Sequence, residues 1–276
     1  MKSLLFGTSG IPLSTEPRNT ANGIKRVHTL GLDSMEIEFV QSVNLSLERA
    51  QEAKITARQE EVTLTCHGQY YVNLNAQDPA KLRASKERIL KAAIICEEAG
   101  VWSLCYHLAF YLGQPQDRVY ESVRQNTKEI IAQFKDQGIK VWLRPETGGK
   151  PTQFGELNEL IKLSQDVEQV LPCIDWAHHH SRSNGKFNTA AEFRLILNAL
   201  EKGLGRECLD NMHMHIEGIH YSEKGELNHL NLLESDFNYK DCLLLWKEFG
   251  IKGVATCESP NVEEDALMLQ KYYRKL

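Results

Sequence analysis

The chain lacks the usual marks of a membrane, secreted or nucleotide-binding protein. No run of about 18 or more apolar residues occurs, so no membrane-spanning helix is expected. The opening Met1–Gly7 has too short an apolar stretch for a signal peptide and no cleavage site. It reads as a first strand. The seven cysteines contain no C-x-x-C pair, which argues against a thiolate zinc knuckle or ribbon. An odd count without framework spacing argues against a disulfide scaffold, so a reducing, cytoplasmic setting is expected. Cys66, Cys105, Cys173 and Cys257 lie in or at the ends of apolar runs and read as small buried hydrophobes. Excess positive charge is also missing. A net charge of −5 argues against broad electrostatic coating of nucleic acid, while leaving room for local basic contacts or a metal. No low-complexity segment, charge block or Pro/Gly/Ser linker divides the chain, so 1–276 reads as one domain.

What is present is alternation. Short apolar, β-branched runs are followed by longer segments of helical periodicity. The strand candidates are Leu4–Ser9, Met35–Val40, Val62–His67, Val101–His107, Val141–Glu146, Val170–Trp176, Met212–Gly218 and Gly253–Ser259. Amphipathic segments between them include Ala80–Ala99, Asp117–Gln137, Glu156–Val167, Ala190–Gly203 and Tyr239–Phe249, with Gly100, Gly138, Gly203 and Gly250 as helix stops. Eight such units fit an α/β fold of the (β/α)₈ TIM barrel type. The competitor, a doubly wound open sheet, would be favoured by a glycine-rich phosphate loop. Gly7-Thr8-Ser9-Gly10 does not fit G-x-G-x-x-G, and no G-x-x-x-x-G-K-[ST] occurs.

In a barrel the C-terminal ends of all strands meet on one face, where active sites are built. Those ends carry His67, His107, Glu146, Asp175 with His178 just beyond, His213, His215, Glu217, and Glu258. His220 and His229 lie in the loop after the seventh strand. Alternation puts His213, His215 and Glu217 on one side of their strand, where burial without partners costs several kcal/mol, roughly. A metal is an economical partner for so many imidazoles and carboxylates. Each residue alone has a blander reading: Asp175 as a helix N-cap, His67 or His107 as a hydrogen-bonded core histidine. The series taken together is harder to ascribe to independent caps. Zinc takes about four ligands, so the candidates exceed one ion and suit two or three, set ~4 Å apart as in phosphodiester cleavage.

The segments His67-Gly68-Gln69-Tyr70-Tyr71-Val72-Asn73, Tyr106-His107, Arg144-Pro145-Glu146-Thr147-Gly148-Gly149, Asp175-Trp176-Ala177-His178, Met214-His215 and Glu258-Ser259-Pro260-Asn261 resemble the endonuclease IV family of apurinic/apyrimidinic endonucleases, within the xylose-isomerase-like TIM barrels. The resemblance implies three zinc ions. Glu146 would bridge two of them and be the central catalytic residue. His67 and His107 would complete the first site, Asp175, His215 and Glu258 the second, and His178 and His229 would belong to the third. It also implies a zinc-dependent DNA repair hydrolase, a monomer, acting on double-stranded DNA 5′ to abasic sites. Tyr70 and Tyr71 would enter the minor groove, and Gln41 would fill the gap. Arg144 and Lys150 would be placed to meet phosphates.

One departure weakens the third site. The family has Asp-x-His after the seventh strand, where this chain has Leu227 two residues before His229. Glu226 or Asn228 is available after a loop shift, and His220 or Glu217 by recruitment. A single-metal sugar isomerase or epimerase on the same barrel is the alternative, as is a non-catalytic homologue. Against the isomerase stand the extra imidazoles His67, His107 and His178.

Overall fold

The computed structural model describes all residues, 1–276. Its first half runs β1 (Leu4–Ser9), α1 (Thr20–Leu30), β2 (Ser34–Glu38), α2 (Leu47–Gln59), β3 (Thr63–His67), α3 (Pro79–Ala99), β4 (Ser103–Tyr106), α4 (Gln116–Asp136) and β5 (Trp142–Pro145). There follow α5 (Leu157–Asp166), β6 (Cys173–Asp175), α6 (Trp176–Arg182), α7 (Ala190–Leu204), α8 (Arg206–Leu209) and β7 (Met212–Ile216). The chain closes with β8 (Gly218–Ser222), β9 (Gly225–Leu230), α9 (Tyr239–Glu248), β10 (Gly253–Cys257) and α10 (Glu263–Lys275).

Eight parallel strands pair in the order β5-β4-β3-β2-β1-β10-β7-β6. The ring closes between β5 and β6 through the single bridges Leu143–Val170 and Glu146–Cys173 rather than a continuous ladder. One reason is chemical: Pro145 turns its nitrogen toward β6 and carries no N–H to donate there. The result is a nearly closed TIM barrel forming a single domain. The remaining pair, β8 and β9, is a separate antiparallel hairpin. No helix is long and apolar enough to cross a membrane.

All eight expected strands are present, within a few residues at their ends. Helix boundaries follow local chemistry. Asp78 accepts from the Ala80 N–H ahead of Pro79, and Gly100 ends the same helix in the left-handed conformation. Gly203 departs from the expectation: it lies inside α7, and Gly205 marks the end. A Cβ at Gly203 would come within 2.5 Å of the Ile161 side chain, so this glycine lets α7 pack closely on α5.

Strand alternation sorts side chains into two environments. Met35 and Ile37, Leu64 and Cys66, and Met212, Met214 and Ile216 join the apolar layer between sheet and helices. The residues between them face the barrel interior. That interior holds Glu36, Thr65, Ser103, Cys105, Arg144, Cys173, His213 and His215, all buried and polar or ionisable. An ordinary barrel fills this space with branched apolar layers. Arg144 therefore cannot meet a phosphate. Its guanidinium lies under the Trp102 and Trp142 rings, at 4.8 and 5.4 Å, and donates to the Pro172 carbonyl and Asn211. Cys105 and Cys173 also differ from the apolar role expected of them, since they belong to this polar interior.

Gly253 opens β10 with φ of +129°, and a Cβ there would sit 1.9 Å from the Met212 carbonyl oxygen. Gly253→Ala is expected to destabilise the fold by about 1–3 kcal/mol through forced backbone displacement. Denaturant unfolding measures this, and an unchanged midpoint would contradict the close β7–β10 approach.

Candidate metal centre

At the C-terminal rim the strand ends converge on Glu146. Its Oε2 lies 3.2 Å from His67 Nε2 and 3.3 Å from His107 Nε2. Its Oε1 lies 3.2 Å from His215 Nδ1 and 3.4 Å from His178 Nδ1. Asp175 Oδ2 is 3.2 Å from His178 Nδ1, and Glu258 Oε2 is 3.7 Å from His215 Nδ1. On the far side of His178, Nε2 is 3.5 Å from Glu226 Oε2, and His229 Nε2 is 3.8 Å from Glu226 Oε1. The eight site residues expected from sequence thus share one locus, and Glu226 joins them. His67, His107, Glu146, His178, Glu226, His229 and Glu258 line a cleft of about 530 Å³. Tyr70 and Lys150 also border it.

Local structure explains each placement. Asp175 ends β6 and caps α6, its Oδ1 accepting from the His178 N–H at 2.7 Å. The cap and the site use different oxygens of one carboxylate, so the two readings of Asp175 are compatible. The cap also fixes which histidine of the triplet faces the cleft. His179 packs on Phe187, and His180 contacts Asp236 at 3.1 Å; both lie within α6.

Glu226 reaches the site through a β-bulge. In the hairpin His220 pairs with Asn228 and Tyr221 with Glu226, leaving Leu227 without an opposite residue. The extra residue shifts the alternation, so Glu226 and His229 share a face although three positions apart. A plain strand would instead present residues two apart. Asn228 and His220 contact each other at 3.3 Å. Gly149 makes room for the hairpin: a Cβ there would sit 2.6 Å from Glu226 Oε2 and 2.7 Å from the His178 ring.

The donor set fits cations. The His67 Nδ1 contact with the Gly68 carbonyl, at 2.8 Å, requires a proton on Nδ1. A neutral His67 ring therefore turns its Nε2 lone pair toward the Glu146 carboxylate. His178 repeats the pattern: Nδ1 faces the Thr147 carbonyl at 3.0 Å, and the buried Nε2 has no hydrogen-bond partner. Asp175 Oδ2 is likewise unpartnered. Acceptors facing acceptors need positive charge between them. The edges of an N/O tetrahedron around zinc, with bonds of about 2.0–2.2 Å, are about 3.3–3.6 Å. The separations around Glu146, 3.2 to 3.4 Å, lie at the short edge of that spacing and above the ~2.9 Å usual for a hydrogen bond.

Ionisation points the same way. Burial disfavours charge on His67, His178 and His215, but the surrounding carboxylates, preceded at His215 by the Cys173 sulfur, outweigh it and hold all three well above the ordinary range. Burial also acts against Glu146, whose imidazole neighbours keep it well below the carboxylate range. Burial drives His107 down to about 4 and Asp175 up to about 6. Glu217 is buried with both oxygens unpartnered, and burial together with Asp175 and Glu258 pushes it well up. Glu38, at the end of β2, was not singled out from sequence. It lines the cleft, accepts from Ser9 at 2.9 Å, and is raised to about 8 by burial and by Glu36.

Tyr70 and Tyr71 stand out from the rim, 57% and 65% exposed, so neither ring is part of the core. Gln41 is also exposed, just beyond β2.

A family model described as xylose isomerase-like TIM barrel matches residues 24–276, and the chain belongs to that family. An uncharacterized protein of Methanocaldococcus jannaschii is 38% identical over 273 residues, covering 99% of this chain and 98% of its own length. A probable endonuclease 4 of Mycoplasma pneumoniae is 24% identical over 162 residues, covering 55% of this chain and 52% of its own length. Among solved structures, a D-tagatose 3-epimerase-like protein superposes with a TM-score of 0.73 at 16% identity, over 97% of this chain and 96% of its own. Endonuclease IV from Thermus thermophilus superposes at 0.71 and 19% identity, over 97% and 98%. At such identities the two superpositions establish the fold alone, while the resemblance to endonuclease IV rests on the matched sequences and motifs.

In the metal-free chain, protons stand in for cations. Raised imidazoles stabilise the fold below their unfolded values, and this is lost as pH rises through the folded ones. Ionisation of Glu38 near 8 adds to the loss. Cys173 opposes it: burial would raise this thiol, but Cys105 and nearby imidazoles hold it at about 6. Thermal melts in chelator should therefore fall from pH 7 to pH 9, with His107 already neutral in both states. A flat or rising profile would contradict the charge pattern.

Proposed function

We propose that the protein is a zinc-dependent phosphodiesterase that cleaves double-stranded DNA 5′ to abasic sites. The observation that carries this reading is the run of three adjoining donor groups on one cleft floor. Glu146 is shared by the first two, and His178 borders the second and third. His67, His107 and Glu146 would hold the first cation. Glu146, Asp175, His215 and Glu258 would hold the second, and His178, Glu226 and His229 the third. When bound, the ions would supply an activated water and positive charge for the scissile phosphate.

The chain's own residues do the rest. Glu146 keeps its two oxygens directed at different imidazole sets, which fixes the spacing of the first two sites. Asp175 and the Thr147 carbonyl orient His178. Lys150, at the cleft edge, is placed to meet a phosphate oxygen. Tyr70 and Tyr71 offer aromatic faces to the minor groove, where wedge residues unstack a base step and bend the duplex. An abasic position lowers the cost of that distortion, because no base has to leave the stack there. With a net charge of −5, the protein depends on this local fit rather than on general attraction to DNA.

A second reading, a sugar isomerase or epimerase, is favoured by one observation. Glu146, Asp175, His215 and Glu258 form by themselves the two-Glu, Asp and His set such an enzyme needs for one divalent ion. It gives no use to His67, His107, His178, Glu226 and His229.

Zinc-loaded protein is expected to nick a duplex oligonucleotide carrying an abasic analogue and to bind two to three ions per chain. Glu146→Gln should lower the rate by about 100-fold or more. Tyr70→Ala with Tyr71→Ala should raise KM more than it lowers kcat. No cleavage by fully loaded protein would defeat the proposal. Ketose epimerisation with one ion per chain would install the second reading.

A further inference from the structure

Below the rim, β2 and β7 place a second buried carboxylate and a further histidine that the proposed centre does not use. Glu36 is fully buried. Its Oε1 lies 3.0 Å from His215 Nε2, and its Oε2 lies 2.9 Å from His213 Nε2. His213, also fully buried, meets Ser103 Oγ through Nδ1 at 2.8 Å. The far nitrogen of His215 is the one that faces Glu146 and Glu258. A continuous array thus runs Ser103, His213, Glu36, His215 and into the rim. Strands β1 and β10 separate β2 from β7 in the sheet, so the Glu36 contacts span the barrel interior.

The protonation pattern follows from what each group can do. The Glu36 separations are ion-pair distances without hydrogen-bond alignment, since Glu36 Oε1 and Oε2, His213 Nε2 and His215 Nε2 have no well-aligned partner. A ring nitrogen 3.0 Å from an ionised carboxylate still favours N–H over a lone pair there. Glu36 therefore keeps the His215 proton on Nε2 and leaves the Nδ1 lone pair directed at the rim. Its other oxygen does the same for His213, whose Nδ1 is then free to accept from the Ser103 hydroxyl. The carboxylate thus sets its charge beside the far nitrogen of each ring, and a flip of either ring would turn a carbon toward that charge. A ligand imidazole is commonly fixed in this way, through its second nitrogen.

We infer that Glu36 is a positioning residue that selects the tautomer and orientation of His215 for the second cation, with His213 and Ser103 holding Glu36 in place. This rests on the cation-centre reading above. Glu36 itself touches neither the cleft nor a reacting atom. Glu36→Gln is the informative change, because it keeps the shape. The amide oxygen can serve one ring, but the NH₂ meets the N–H of the other.

The test compares wild type, Glu36→Gln, His213→Asn and Ser103→Ala. Zinc affinity is read by chelator competition, the cobalt-substituted centre by its absorption spectrum, and the His215 tautomer by ¹⁵N NMR of the zinc-loaded protein. Glu36→Gln should weaken one zinc equivalent by about 10- to 100-fold, alter the cobalt spectrum and mix the His215 tautomers. His213→Asn should produce a smaller shift of the same kind, and Ser103→Ala the smallest. His213→Asn carries the test if Glu36→Gln fails to fold.

Wild type that binds no zinc would overturn the centre and this role together. Wild type that binds zinc, beside a Glu36→Gln variant with unchanged affinity, spectrum and tautomer, would overturn the Glu36 role alone. Complete loss of one equivalent in Glu36→Gln would make Glu36 a ligand instead, and would also overturn it.

Discussion

Lone pairs facing carboxylates is the constraint on which the rim depends. His67 and His178 each spend the Nδ1 proton on a backbone carbonyl, which leaves Nε2 turned toward Glu146 and Glu226 respectively. In a buried setting such contacts cannot persist without positive charge. Protons on the imidazoles supply it in the metal-free chain, and cations would supply it at lower cost to the ligand geometry. The Glu146–Cys173 bridge, the bulged hairpin and the Asp175 cap all serve to bring these acceptors together.

The barrel's interior carries that constraint downward. An apolar interior would offer a ligand imidazole no second partner. Here Ser103, His213 and Glu36 form a polar support under His215. Apolar stabilisation is moved outward, to the layer where Trp176, Trp246 and Phe193 pack between strands and helices. Arg144 at the opposite end is likewise held by aromatic faces and carbonyls rather than by a counter-charge.

Much of this was legible in the sequence. Strand ends carrying His or acid, at even spacing, announced both the barrel and the residues that meet at its rim. Other features depend on contacts that spacing does not encode. Glu36 and Glu38 alternate with apolar residues on β2, a pattern that a solvent-facing polar edge also gives, yet both face inward. A bulge at Leu227 is a matter of hairpin register, so Glu226 could be offered only as one of several substitutes. Arg144 sits beside a site residue in sequence, but its side chain points toward the other end of the barrel. Gly203 resembled a helix stop because close packing of α7 on α5 also requires a residue without a side chain. The available signal for the Glu36 array was alternation on β2 together with alternation on β7, which turn Glu36 and the pair His213 and His215 into one interior.

Anomalous diffraction at the zinc edge, from crystals grown with zinc, tests the central claim most directly. The account predicts two or three peaks about 4 Å apart, with Glu146 between the first two and Glu226 beside His178 and His229 at the third. A zinc-saturated crystal with no peak at Glu146 would contradict it.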